Sequence, residues 1–426
     1  MIRFLEMVLT GILVSFFFFP FEFAALPGVN TKMMLAVLGL VFIAIDLIRR
    51  RSFTIPKEFL LLIALASAVS LASLLSVALN QTPDNTYATY IISFSVWLSA
   101  AYAVCRLIRA VHGRIDVPLT LNYLAAVCVF QCAVALLIDG VAPVRRFVDS
   151  TFLLSQELMH GIDRLYGIGA ELDVAGARFS AVLVAIAFYL SGFSDSLKPF
   201  TRICYIIALL FISIIGCMIA RTTLVGVIIG LATILAGLVL APKSQAKGSG
   251  REVALSWIGI LLAGIVLCIV LYDTDPRARK LFRFGFEGFF SLVENGHWEI
   301  SSTEKLKTMV VFPEKVHTWI IGDGYFLNSR YDVNYLGDAT DQGYYMGTDV
   351  GYLRFIFYFG IVGLIPMVGV IVYSALVCMR RFRQEWLLFL LALLVGLTVW
   401  MKVSTDIFLF FALFLGTAAL QETTSA

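Results

Sequence analysis

The sequence predicts an all-α, polytopic integral membrane protein with about twelve transmembrane helices and one large exterior loop that contains short helices. Three observations carry this prediction. Of the 426 residues, 60% are hydrophobic and only 14% are charged, whereas soluble domains carry roughly 25% charged residues. Apolar runs of about 20 residues recur along the chain, and each can cross a hydrocarbon core of about 30 Å. Lys and Arg are concentrated in alternate short loops, as in multi-pass proteins.

The apolar runs, bounded by Pro, Gly and charged residues, define the predicted spans. They cover 4–26, 32–48, 58–79, 89–111, 117–139, 178–194, 202–220, 222–241, 253–272, 350–376, 385–401 and 405–420. The first run is too long for the hydrophobic part of a signal peptide, so we expect a retained span there. Because no stretch is left over for a soluble domain, residues 1–426 are predicted to form a single membrane domain.

The basic residues of the short loops orient these spans. Clusters such as Arg49-Arg50-Arg51 and Arg380-Arg381 fall on one side, and the short loops of the other side hold few Lys or Arg. Because Lys- and Arg-rich short loops stay in the cytoplasm, we expect both termini there. Two longer loops then face the exterior, a smaller one over 140–177 and a large one over 273–349, between the ninth and tenth spans.

The large loop has the pattern of a folded segment. Arg277–Glu294 mixes Arg and Lys with five phenylalanines, which is typical of a helix lying in the membrane interface with its rings in acyl chains. Ser301-x-x-Glu304 has the form of a capping box that opens a second short helix. Gly322-Asp323-Gly324 indicates a turn, since no phosphate-loop Lys follows it.

Composition also argues against several classes of protein and site. A formal net charge of +3 gives no basic field for nucleic acid. The seven cysteines fall in or beside apolar runs without CxxC spacing, so we expect them to serve packing rather than disulfides or metal binding. The histidines do not have metal-site spacing either, and we predict neither a metal nor a cofactor.

Two arginines at the ends of apolar runs are the first candidate binding residues. Arg178 begins the predicted sixth span, where the helix dipole would also favour an anion; an arginine reaching from the interface to water is the alternative. Arg221 interrupts two apolar runs and has no acidic residue near it in sequence. Such an arginine costs about 2.5–3.5 kcal/mol at mid-membrane depth and needs a partner or a water-filled pocket. A tight turn capped by Thr222 and Thr223 is the alternative.

Two residues of the large loop are candidate general bases. His317 can accept a proton near neutral pH, and a hydrogen-bonded loop histidine is the alternative. Asp349 stands where the loop re-enters the membrane. Its carboxylate could orient or deprotonate an acceptor hydroxyl, or it could be a helix N-cap paired with Arg354.

Tyrosines crowd the end of the large loop and the start of the following span. Aromatic faces stack on sugars, which makes these tyrosines candidate glycan-binding residues; a tyrosine belt at the membrane surface is the alternative. The three that we single out are Tyr344, Tyr345 and Tyr352.

Three short patches around the large loop resemble the motifs of a known family. They are Arg164-Leu-Tyr-Gly-Ile-Gly169 leading to Gly176-Ala-Arg178, then Ala220-Arg-Thr-Thr-Leu-Val-Gly226, then Ile320-Ile-Gly-Asp-Gly324 followed by Asp349-Val-Gly-Tyr-Leu353 and Phe359-Gly-Ile-Val-Gly363. In this order they resemble the O-antigen polymerase and O-antigen ligase superfamily of bacterial membrane glycosyltransferases. The similarity covers most of the chain in architecture and rests in detail on these patches.

The resemblance implies a metal-independent, GT-C-like transferase in the bacterial cytoplasmic (inner) membrane, with its exterior loops in the periplasm. Arginines of the family hold the pyrophosphate of a polyprenyl-linked glycan, which the resemblance carries onto Arg178 and Arg221, with Arg164 of the first patch beside them. Ligases of the family have a loop histidine close to the re-entering span. Here that neighbourhood holds Asp349, and His317 lies well upstream, which favours the polymerase branch.

The expected function is therefore the polymerisation of polyprenyl-pyrophosphate-linked repeat units into a surface polysaccharide. The expected partners are a lipid-linked donor, a lipid-linked acceptor and the bilayer, with a chain-length regulator and a flippase as further candidates and no nucleic acid. The alternatives are an O-antigen ligase that transfers glycan to lipid A-core and a lipid-linked oligosaccharide flippase or transporter. Transporters usually show related halves, and the two halves of this chain differ in loop length.

Overall fold

The structure is a computed structural model that describes residues 2–50, 57–153, 164–193, 197–240, 264–329, 332–337 and 343–425. Its regular structure is almost entirely helical, which confirms the prediction of an all-α membrane protein. No sequence pattern indicated the one small sheet in the described residues. It is formed by β1 (Glu22–Phe23) and β2 (Phe152–Leu153), which pair antiparallel.

The helices are numbered in chain order. They are α1 Ile2–Phe18, α2 Thr31–Arg50, α3 Lys57–Asn80, α4 Tyr90–His112, α5 Val117–Gly140, α6 Ala142–Thr151, α7 Leu172–Leu190, α8 Pro199–Ile219, α9 Thr223–Leu240, α10 Gly264–Thr274, α11 Pro276–Gly285, α12 Glu287–Asn295, α13 Ser301–Thr308, α14 Val316–Ile320, α15 Gly351–Arg381, α16 Trp386–Val399 and α17 Phe408–Ser425.

Seven helices in the described part of the chain are long and apolar enough to cross a membrane: α2 to α5, α7, α8 and α15. Each matches one of the predicted spans. Helices α1 and α16 are shorter, with 17 and 14 residues, and most of the predicted span 253–272 lies outside the described residues. The prediction of a first span over 4–26 is wrong at its far end, because α1 ends at Phe18, before Pro20 and the turn into β1.

Helix α7 is the centre of the bundle, since every residue from Ala175 to Tyr189 is buried. Small residues let α9 pack closely against it. A Cβ atom added to Gly226 of α9 would lie 2.3 Å from the Cα atom of Ser180, so only glycine permits this approach. The Ser180 hydroxyl accepts a hydrogen bond from the Gly226 N–H at 3.1 Å. The turn between α8 and α9 is thereby held against the start of α7.

Helix α15 is divided by a kink at Gly360, whose φ of +63° lies in the region that favours glycine. A Cβ atom at Gly360 would lie 2.2 Å from the Ile320 carbonyl of α14. Residues 353–360 are buried in protein, whereas Ile361, Val362 and Ile365 are exposed as lipid-facing residues would be. The predicted span 350–376 is therefore a buried re-entering segment followed by a longer helix.

We use "loop end" for the end of the bundle that carries residues 276–349. There the predicted interfacial helix over 277–294 is two helices, α11 and α12, joined at Phe286. The expectation that its rings lie in acyl chains is wrong for Phe282, which is buried. The reason is Gly285, which packs on the backbone of Cys217 and Met218 at the end of α8 and draws α11 onto the bundle.

Candidate anion-binding site

Arg178 lies inside the bundle and not at the edge of a helix. Helix α7 begins at Leu172, six residues earlier than the predicted span, so Arg178 stands about 9 Å along its axis. Only 6% of the residue is exposed, which excludes an arginine reaching to water. The prediction that Arg178 begins the span is wrong, because the small residue Gly176 packs on Ala220 and Thr222 and extends the helix towards the loop end.

The surroundings of Arg178 form a deep cluster, which we define as Lys32, Arg178 and Asp406. The charges of these three residues act on one another. The guanidinium lies 5.9 Å from the ring centre of Phe19. Its buried Nε has no hydrogen-bond partner among the described residues, and neither does the buried Oδ2 of Asp406. Buried polar atoms are normally satisfied, so this arrangement suits a ligand or ordered water.

Arg221 has the partner that its sequence context requires. The guanidinium forms an ion pair with Glu287 at 2.5 Å, donates to the Phe284 carbonyl at 2.9 Å and lies 4.3 Å from the centre of the Phe284 ring. Its Nη1 also donates to the Ser301 hydroxyl at 3.1 Å. The turn of the alternative is also present, since Arg221 lies between α8 and α9. The hydroxyls of Thr222 and Thr223 donate to Asp173 and to the Gly216 carbonyl.

Ser301 does not cap a helix, and the predicted capping box is wrong. Helix α13 begins there, but its N-cap residue is Ile300, whose side chain makes no capping hydrogen bond. The Ser301 hydroxyl instead donates to the Glu287 carboxylate at 3.0 Å. Ser301 therefore links Arg221 to Glu287 by hydrogen bonds.

Lys402 is a further cation at the loop end, where it pairs with Asp173. Its Nζ donates to Asp173 Oδ1 at 2.9 Å, and the Thr222 hydroxyl donates to the same oxygen. These contacts connect the start of α7, the α8–α9 turn and the α16–α17 connection. Sequence reasoning identifies Lys402 only as a lone cation of a short loop, because its partners are far away in the chain.

Arg164 completes this loop-end cluster, which we define as Arg164, Asp173, Arg221, Glu287 and Lys402. Its guanidinium lies 5.5 Å from the centre of the Phe284 ring, the ring on which Arg221 also stacks. Burial lowers the pKa of Arg164, and the charges of Asp173 and Arg221 act on it. Its buried Nε has no hydrogen-bond partner in the described part of the chain.

Asp349 lies beside the loop-end cluster. It pairs with Arg354 at 3.6 Å, as one of the sequence alternatives proposed, whereas the N-cap of α15 is Val350. Burial raises the pKa of the Asp349 carboxyl to about 6, against the opposing charge of Arg354. The charges of Asp173 and Lys402 also act on it. A carboxylate with this pKa can take a proton at neutral pH.

Of the three predicted glycan-binding tyrosines, the structure brings only Tyr344 to Asp349. Its ring lies 4.5 Å from the Arg354 guanidinium, which rests on Phe326 on its other side. Tyr345 is buried in the loop, and its hydroxyl donates to Asp323 at 3.1 Å. The Tyr352 hydroxyl donates to the Leu397 carbonyl at 2.9 Å, so both side chains have structural roles.

His317 is exposed on α14. Within the described ranges, no contact joins its side chain to either cluster. Helix α14 instead packs its backbone on the kink of α15 at Gly360, which leaves His317 pointing away from the bundle. Of the two candidate bases, Asp349 is therefore the one that the fold brings to the arginines.

Two elements each contribute to both clusters. Helix α7 carries Asp173 at the loop end and Arg178 in the deep cluster, and the α16–α17 connection carries Lys402 and Asp406 in the same way. Trp400 fixes this connection, since its side chain is fully buried and its Nε1 donates to the Thr405 carbonyl at 2.6 Å. No direct contact among the described residues joins Arg178 to Arg221.

The cations outnumber the carboxylates in the two clusters and the Asp349 pair taken together. The cations are Lys32, Arg164, Arg178, Arg221, Arg354 and Lys402, and the carboxylates are Asp173, Glu287, Asp349 and Asp406. An excess of guanidinium groups in a half-buried site is suited to phosphate-bearing ligands, which Arg binds through two parallel hydrogen bonds.

A cavity of about 170 Å³ lies at the loop-end cluster. Its lining includes polar residues, such as Arg221, Lys402 and Ser302, and apolar ones, such as Ile228 and Phe289. Ile228 is 58% exposed on the outer face of α9, so the cavity reaches the side of the bundle that lipid would cover. A ligand with a charged head and an apolar tail matches this mixed lining.

Comparison with known proteins adds no family assignment. No model of a known protein family matches the chain, and no curated protein matches it either. Function is therefore inferred from the residues of the two clusters and from the membrane character of the fold.

Proposed function

We propose that this protein is a metal-independent membrane glycosyltransferase that polymerises polyprenyl-pyrophosphate-linked repeat units into a surface polysaccharide. The observation that carries the proposal is the buried Arg178 guanidinium, whose Nε has no hydrogen-bond partner in the described residues. An ionisable side chain buried in a membrane protein is costly and commonly belongs to a functional site. A second set of arginines lies at the loop end, beside a carboxyl suited to accept a proton.

The two clusters match the two substrates of such a reaction. Donor and acceptor are both lipid-linked pyrophosphates in a polymerase, so two separate cationic sites are needed. Arg221 and Arg164 in the loop-end cluster would hold one pyrophosphate, and Arg178 in the deep cluster would contribute to holding the other. The different acidic neighbours of the two arginines, Asp406 for Arg178 and Glu287 with Asp173 for Arg221, support this division.

The chemistry then assigns a role to Asp349. A hydroxyl of one lipid-linked repeat attacks the anomeric carbon of the other, and its proton passes to the Asp349 carboxylate. The bond between the anomeric carbon and the pyrophosphate oxygen breaks, and free polyprenyl pyrophosphate leaves. The guanidinium groups stabilise the charge that develops on the departing pyrophosphate, and such electrostatic stabilisation commonly contributes most to the rate. Tyr344 beside Asp349 is the residue placed to stack on the glycan.

The cavity supports entry of the substrate from the bilayer. Its apolar wall includes Val225 and Ile228 on α9, and its polar part includes Arg221 and Lys402. A polyprenyl chain would lie against the wall while its pyrophosphate reaches the cations. Burial of apolar surface provides the driving force for the chain, and the guanidinium groups select the head group.

The arrangement in the membrane is part of the same proposal. We infer about twelve spans in the bacterial cytoplasmic membrane, both termini in the cytoplasm and residues 273–349 in the periplasm. The basic short loops and the long apolar helices support this topology. In this topology both clusters lie on the periplasmic side, where a lipid-linked glycan is found after it has been flipped across the membrane.

The test replaces each arginine in a bacterial strain that makes the polysaccharide. Arg178→Ala and Arg221→Ala should each abolish polymer and leave single-repeat glycan, because pyrophosphate binding is lost. Arg283→Ala is the matched control, since Arg283 pairs with Glu294 outside both clusters, and it should retain long chains. Long chains in both arginine variants would contradict the proposal.

A further inference from the structure

The carboxylate of Glu287 forms an ion pair with Arg221, the arginine that lines the cavity. Glu287 is the first residue of α12 and lines the cavity together with Arg221. One of its oxygens, Oε2, lies 2.5 Å from Arg221 Nη1. The same oxygen accepts hydrogen bonds from the Ser301 backbone N–H at 3.2 Å and from the Ser301 hydroxyl at 3.0 Å.

These donors are the ones that a phosphate oxygen would use. A guanidinium N–H, a backbone N–H at the start of a helix and a serine hydroxyl converge on one anionic oxygen. Phosphate groups bind to the same combination. The Glu287 carboxylate therefore stands where a phosphate oxygen of a ligand would bind, and the two oxygens cannot occupy this set of donors at once.

The segment that carries Glu287 is attached to the bundle less firmly than its neighbour. Helix α12 buries only Gly288 and Ser291, and Phe289 and Val293 are 48% and 85% exposed. Helix α11 instead packs against the end of α8 through Gly285. The two helices are joined at Phe286, whose backbone is non-helical, and one exposed ion pair, Arg283–Glu294, also connects them. Phe286 is the point about which we expect α12 to turn.

We propose that Glu287 is an internal competitor of the substrate, and that a lipid-linked pyrophosphate gains Arg221 by displacing the Glu287 carboxylate and moving α12 off the cavity. The inference rests on the proposed function, from which it takes the class of the ligand. Between turnovers, the carboxylate keeps Arg221 paired and the cavity covered. The need for displacement lowers the apparent affinity of a ligand, which equals its intrinsic affinity multiplied by the fraction of protein in the uncovered state.

The test measures binding of a polyprenyl pyrophosphate without glycan to the purified full-length protein in lipid nanodiscs. Glu287→Gln should tighten binding on the order of threefold to tenfold, because the pair it removes is partly exposed. Glu304→Gln is the matched control, since it removes an exposed ion pair with Lys307 within α13 and leaves the contacts of α12 intact, and it should leave binding unchanged.

The outcomes separate this inference from the proposed function. Binding that is unchanged or weaker in Glu287→Gln would overturn the internal competitor and leave the function standing. No binding by any of the three proteins would overturn both. An equal gain in Glu287→Gln and Glu304→Gln would show a general charge effect and would also overturn the competitor.

Discussion

The surroundings of Arg221 and Arg178 differ in how fully the protein satisfies each guanidinium. Arg221 has an ion pair, three further hydrogen bonds and an aromatic ring. Arg178 is more deeply buried, and its Nε has no partner in the described part of the chain. A satisfied arginine contributes to the fold even without a ligand, whereas an unsatisfied buried one costs stability. We infer that Arg178 is kept for ligand binding and that Arg221 changes partners.

The largest expected effect separates these two roles. Arg178→Met should abolish polymer formation and change the melting temperature little, because it removes a buried Nε that lacks a partner while Asp406 keeps the charge of Lys32 beside it. Arg221→Met should also abolish polymer but lower the free energy of unfolding by about 1 kcal/mol, because Glu287 loses its partner. Thermal unfolding in detergent checks both. A larger loss of stability for Arg178→Met than for Arg221→Met would contradict the inference that Arg221 contributes more to the stability of the fold.

The second effect concerns pH and Asp349. Because burial raises the pKa of this carboxyl to about 6, it protonates as the pH falls through 6, and the rate should fall about tenfold per pH unit below that value. Asp349→Asn should remove most of the activity and this acidic limb, as measured with reconstituted protein. A raised pKa in the folded state also gives stability that is present at low pH and lost as the pH rises through about 6. An unchanged acidic limb in the asparagine variant would exclude Asp349 as the base.

The third effect tests the cation that sequence reasoning missed. Lys402→Met should lower the rate about tenfold, because Asp173 loses its ion pair and the cavity loses a positive charge. Lys402→Arg keeps the charge and should retain a larger part of the rate. Rates at several substrate concentrations distinguish weaker binding from slower chemistry. Equal rates for Lys402→Met and the wild type would remove Lys402 from the cluster's function.

The smallest effect concerns the ring shared by two arginines. Phe284→Leu should raise the substrate concentration needed for half-maximal rate about twofold to fivefold, since each cation–π contact contributes about 0.5–1 kcal/mol. Phe290→Leu is the matched control, because Phe290 stacks on Arg283 outside the cluster. The same change in both variants would show that Phe284 acts only through packing of the loop.

The sequence correctly predicts that Arg221 has a partner, but it predicts the wrong position of Arg178 within its helix. The lack of an acidic neighbour at Arg221 in an apolar stretch correctly demands a partner, because membrane depth makes a lone guanidinium costly. The partner itself, Glu287, could not be found, since it depends on how α12 folds back after Phe286. The sequence places Arg178 at a helix start because Leu172–Ala177 has the pattern of a loop of small residues, whereas packing on the α8–α9 turn makes it helical.

The helices show the same division between local and long-range information. Seven of the predicted spans are membrane-length helices in the described part of the chain, and they could be predicted because length and hydropathy are local properties. The early end of α1 has a local signal in Pro20, which the predicted span over 4–26 passed over. The kink of α15 at Gly360 depends on its contact with α14, which no local pattern records. Lys402 and Asp406 reach the clusters for the same reason, because the connection that carries them is held by the buried Trp400.

The most direct test of the central claim supplies purified protein in proteoliposomes with one defined polyprenyl-pyrophosphate-linked repeat unit. We predict a ladder of longer lipid-linked glycans and one released polyprenyl pyrophosphate for each glycosidic bond, with both lost in Arg178→Met. Movement of the intact substrate between leaflets without any new glycosidic bond would contradict the proposed polymerase and identify a transporter.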